Sequence, residues 1–120
     1  MKKFLIIIIS IISLTNTAYS FMTYGEYKEL MKSDRTSALY YIRGITMGNL
    51  SYSRYMVVDK PDNKQVYCPP NDIKLTIKHA IDVIEQEANR IIKDTDEDVN
   101  KVSVPLMYIW GMQDKYPCSN

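Results

Sequence analysis

Residues 73–93 read IKLTIKHAIDVIEQEANRIIK, and the spacing of the apolar side chains in that stretch decides the fold. Ile73, Ile77, Ala80, Ile81, Ile84, Ala88 and Ile91 recur at three and four residues and share about a third of a helical wheel. Lys74, Lys78, Asp82, Gln86, Asn89, Arg90 and Lys93 take the opposite side. That pattern predicts an amphipathic helix over 73–93, with Asn71 or Asp72 as its N-cap. A helix with one apolar stripe must bury it against neighbours, so the flanking sequence has to supply them.

Upstream, Cys68-Pro69-Pro70 stops any helix from running through, and Asp59, Pro61, Asp62 and Asn63 mark a turn. Before that turn, Asp34 is an N-cap candidate for a helix over 34–55. Ala38, Ile42, Ile45, Tyr52 and Met56 form its stripe, widened by Leu39 and Leu50. Gly44 and Gly48 lie on another face, where a neighbouring backbone is expected to come close, because each glycine costs about 1 kcal/mol of helix propensity. Thr23 and Glu26 have the spacing of a capping box, which predicts a short helix over 24–32.

Downstream, Asp94, Asp96, Glu97 and Asp98 repel one another and predict an exposed loop. Ser103 is the expected N-cap of a last helix, with Pro105 in the first turn, where its missing amide does no harm. Val104, Leu106, Met107, Tyr108, Ile109, Trp110 and Met112 point almost all round that helix and predict a central place for it. The sum is all-α: a small four-helix domain over 21–120.

The first twenty residues, MKKFLIIIISIISLTNTAYS, are set apart as an export signal. Lys2 and Lys3 supply positive charge, 4–14 an apolar core, and Ala18 and Ser20 the small residues a signal peptidase prefers. Eleven apolar-core residues are fewer than the roughly twenty that span a membrane. No stable membrane insertion is expected after cleavage. Without Lys2 and Lys3, 13 basic side chains face 14 acidic ones, a formal charge of −1. That balance, with no basic block, gives nucleic acid no footprint.

Cys68 and Cys118 are the only cysteines. Export sends them to a compartment where disulfides persist, so a bridge is expected between them; the alternative is two reduced, buried thiols. Two cysteines and one histidine fall short of a four-ligand structural zinc site. The acidic run lacks the glycine and distal glutamate of an EF-hand loop. Neither a metal nor another cofactor is expected. His79 falls with Leu75, Val83, Gln86 and Arg90, with Asp82 placed to orient it, but no nucleophile is positioned by spacing. It is expected to be a solvated or interface residue, and no catalytic residue is assigned. Nine tyrosines follow residue 20, and their spacing favours packing at core edges over a binding patch.

Tyr41-Ile42-Arg43-Gly44, Gly48, Tyr67-Cys68-Pro69-Pro70, an amphipathic helix and then Tyr116-Pro117-Cys118 follow one another in this order. Over about 40–118 this resembles the Rap/Tai family, immunity proteins associated with type VI secretion. The resemblance implies a helical periplasmic protein, in some members a homodimer. It implies that the protein blocks the cleft of a peptidoglycan-cleaving amidase effector by stoichiometric binding. By position it makes Cys68 and Cys118 the family's disulfide pair and Arg43-Gly44 its helix-packing segment. Asp94, Asp96, Glu97 and Asp98 are then candidates for contact with a basic partner cleft. A periplasmic holdase for unfolded clients is the alternative function.

Overall fold

The computed structural model describes residues 21–58, the last five as helix backbone only, and residues 65–119. The export signal, the turn at 59–63 and the side chain of Met56 lie outside what is described. Within it the architecture is the expected one: four α-helices and one disulfide, with a single short 3₁₀ turn. The helices are α1 (Tyr24–Ser33), α2 (Arg35–Val58), α3 (Ile77–Asp94) and α4 (Val104–Lys115), and the 3₁₀ turn is Val99–Lys101.

The capping box forms as the spacing predicts. The Thr23 amide donates to Glu26 Oε2 at 2.7 Å, and the Glu26 amide donates back to Thr23 Oγ1 at 3.4 Å. Asp34 closes α1 and opens α2. Its amide donates to the Leu30 carbonyl at 2.8 Å, while its carboxylate accepts from the Ser37 amide and hydroxyl at 3.1 and 2.6 Å. Helix α2 continues to Val58, three residues past its expected end.

Helix α3 begins four residues later than expected. Neither Asn71 nor Asp72 caps it; both sit in a turn after Pro70, and the Thr76 hydroxyl accepts the His79 amide at 3.1 Å instead. Between them the chain forms no helix: the Thr76 amide donates to the Lys74 carbonyl at 3.0 Å, and side chains 73–77 alternate between half-buried and exposed. A spacing of four residues satisfies two periods of a strand as well as one turn of a helix. Ile73 and Ile77 are therefore compatible with either, and the Thr76 hydroxyl settles the start.

At α4, Ser103 occupies the N-cap position, yet its hydroxyl makes no capping bond. The helix start is tied down by backbone. The Val104 amide donates to the Met22 carbonyl at 3.0 Å, and the Tyr24 amide to the Val102 carbonyl at 2.8 Å. This isolated bridge joins the first turns of α1 and α4, and Pro105 needs no partner.

The core is built from Tyr27, Ala38, Ile42, Ala80, Val83, Ile84, Ile91, Val104, Met107, Tyr108 and Met112. Most of the predicted α3 stripe is in it, and so is Val83. Three expectations need correction. Among the described residues no atom lies within 4 Å of a β-carbon built on Gly44 or Gly48, and Arg43 and Gly44 are exposed rather than packed against another described helix. Close approaches come instead at Gly111 of α4, against Val83 of α3, and at Gly25 of α1, against Asn100. Leu106 and Trp110 are exposed, so α4 is not enclosed on every side. The stripe of α2 also ends early, since Tyr52 is exposed.

Cys68 and Cys118 are bonded, with α-carbons 4.9 Å apart. The Cys68 amide donates to the Tyr116 carbonyl at 2.8 Å, so the two strands of chain are joined twice. The bridge spans 50 residues, for which chain entropy alone assigns about 4 kcal/mol.

Candidate docking site

The acidic segment after α3 is exposed throughout, as expected, and local bonds give it a definite shape. Thr95 turns the chain: its amide and hydroxyl both donate to the Ile91 carbonyl, at 3.1 and 2.8 Å. Its hydroxyl in turn accepts the Glu97 amide at 3.2 Å. Asp98 caps the 3₁₀ turn, accepting the Asn100 amide at 3.1 Å and its side-chain amide at 3.2 Å. The four carboxylates therefore do different things. Asp98 is engaged by its own chain, Asp94 ends α3, and Asp96 and Glu97 face solvent.

Of the four, Glu97 alone lines a groove between the last turns of α3 and the flank of α4. Arg90, Ile91, Thr95, Trp110, Gln113 and Asp114 complete its walls. One turn before Arg90 on α3 stands Glu87, whose side chain is 2 % exposed. Burying a carboxylate is costly unless it is paired. Arg90 pairs with it through both ends of the guanidinium, Nε donating to Oε2 at 2.9 Å and Nη2 to Oε1. Those bonds push the Arg90 pKa further up, with help from Glu87's charge. Arg90 is thus held in the wall by a partner on its own helix. Glu97 and Asp114 make no ion pair among the described residues.

Spacing alone did not reveal this groove. Trp110 and Asp114 are four apart on α4, and Glu87 and Arg90 three apart on α3, which is readable as two same-face pairs. That the pairs meet is a matter of how the helices cross.

His79 lies elsewhere, at the disulfide end. Its Nε2 is 2.9 Å from the Tyr116 hydroxyl, with the rings stacked at 5.9 Å between centroids. Asp82 does not orient it, because the Asp82 carboxylate takes Lys78 at 2.6 Å. Instead of being solvated, His79 is half-buried, and burial pushes its pKa down, with Lys115 adding to the effect. The tyrosines divide: Tyr24, Tyr27, Tyr67 and Tyr108 are buried, whereas Tyr40 and Tyr52 are exposed. Tyr24 donates to Glu85 at 2.7 Å, joining α1 to α3.

No described helix is long and apolar enough to cross a membrane. No family model matches the chain, and neither a curated protein nor a solved structure matches it.

Proposed function

We propose that this chain is a periplasmic immunity protein that binds and occludes a peptidoglycan-cleaving effector of type VI secretion, by stoichiometric inhibition without catalysis or cofactor. The resemblance in motif order supplies the partner class. The observation that supports it best is the segment 94–98, an exposed run of carboxylates held in shape by its own chain. A pre-shaped acidic segment loses little freedom on meeting a basic cleft, and its charge speeds encounter.

The experiment is rescue. A hydrolase encoded beside this gene is directed to the periplasm, with and without this chain directed to the same place. Survival only in its presence, with a stable complex of the two purified proteins, is expected. Death in both cultures together with no complex overturns the proposal.

The exposed Tyr40, Met47 and Tyr52 on α2, with Phe21, favour one other reading, a holdase for unfolded clients. Suppressed aggregation of an unrelated client at low pH would support that role instead.

A further inference from the structure

We propose that the groove between α3 and α4 receives a lysine or arginine side chain from a loop of the partner protein, with Trp110 as its platform and Glu97 and Asp114 as its counter-charges. The partner's identity as a cell-wall hydrolase rests on the function proposed above; the chemistry of the groove does not.

The same helix that buries Met107, Tyr108 and Met112 completely leaves Trp110 37 % exposed. Tryptophan is enriched where proteins dock, and its ring is the best aromatic platform for a cation. The one cation in the groove wall, Arg90, is already bonded to the buried Glu87. Glu87 takes both hydrogen bonds of that guanidinium, whose charge is felt by Asp114 and Asp94 as well. With Glu87 balancing Arg90, Glu97 and Asp114 leave the groove walls net negative, and neither makes an ion pair among the described residues. An apolar face between such carboxylates complements a side chain with an apolar stem and a positive head, which is the build of lysine and arginine. Peptide substrates with free carboxylates call for cations in a hydrolase cleft, and those cations are what this groove fits.

Trp110 is the only tryptophan in the chain, so its fluorescence reports on the groove directly. The probe is a hexa-arginine peptide, with a hexa-citrulline peptide as the uncharged control. The arginine peptide is expected to change Trp110 emission saturably at low salt and to lose its effect at about 0.5 M salt. Glu97→Gln with Asp114→Asn should weaken binding about tenfold. Trp110→Phe, measured by calorimetry, should weaken it roughly two- to fivefold. Circular dichroism confirms that these surface variants remain folded. Unchanged emission, equal binding of the two peptides, or wild-type affinity in the double variant overturns the proposal. The two proposals fail separately. A hydrolase bound equally well by wild type and by the groove variants removes the groove and leaves immunity. Arginine-peptide binding with no hydrolase binding leaves the groove and removes immunity.

Discussion

Gly111 on α4 lies so close to Val83 on α3 that a β-carbon added to it would come within 2.5 Å of Val83 Cγ1 and 3.1 Å of the Val83 carbonyl oxygen. Val83 is fully buried and the carbonyl belongs to a helix, so neither has room to retreat. This contact sets how near the two helices pack. It also sets the Glu87 β-carbon 3.6 Å from the same position, which brings the partner of Arg90 against α4.

Gly111→Ala should destabilise the fold by about 1–3 kcal/mol through overpacking. Gly44→Ala and Gly48→Ala should each stabilise it by up to about 1 kcal/mol, since a methyl group there meets none of the described residues within 4 Å. Urea denaturation midpoints of the three variants, compared at constant slope, check the opposite signs.

The start of α3 can be located by its cap. Thr76→Ala should cost about 1 kcal/mol, the usual loss when a capping hydroxyl is removed. Asn71→Ala and Asp72→Ala, changes in an exposed turn, should stay within about 0.5 kcal/mol of wild type. Thermal melts of the three variants distinguish this arrangement from a helix that begins at Ile73.

Reducing the Cys68–Cys118 bridge, or replacing both cysteines by serine, should cost about 4 kcal/mol. The amide of Cys68 bonds the Tyr116 carbonyl, so the loss should be shared by the His79–Tyr116 contact. Chemical denaturation with and without dithiothreitol measures the stability, and the His79 ring proton signals report the contact.

Acid should weaken the fold in two windows. His79 has a folded-state pKa below its ordinary value of 6.5, so protons favour the unfolded chain between the two. Stability is complete above the ordinary value and falls as pH drops through it toward the folded one. His79→Gln should flatten that first decline. The second window belongs to Glu26 and Asp34. The amide and hydroxyl of Thr23 hold Glu26 below its ordinary 4.5, and the hydroxyl and amide of Ser37 hold Asp34 below 3.8. Their contribution is present above those values and is lost as pH falls through the folded ones. Stability measured from pH 8 down to about pH 3 checks both windows.

Reversing charge at Asp96 and Glu97 should slow association with a basic partner and flatten its salt dependence. Asp98→Ala should act mainly on stability instead, because that carboxylate caps the 3₁₀ turn. Stopped-flow association rates across a salt series, set beside the melting temperatures, separate the two effects.

Much of the local structure is legible in the sequence. The Thr23–Glu26 box, the Asp34 cap, the place of Pro105 and the exposure of 94–98 depend on residues within one turn of each other. The chemistry that decides them is written consecutively in the chain. The cysteine pair was legible too, because only two were available.

Tertiary structure decided the rest. The Ile73–Ile77 spacing suits both strand and helix periods, so the true start of α3 waited on which hydroxyl reached a free amide. Gly44, Gly48 and Gly111 are alike as letters; only the crossing of α3 and α4 shows which one a neighbour presses against. Trp110 reads as core in an apolar helix, yet α3 and the segment after it meet that flank only as the walls of an open groove, which leaves Trp110 37 % exposed. The groove follows from the same cause. Its walls come from two helices whose relative position is set by packing, and spacing along either helix alone contains no information about the other.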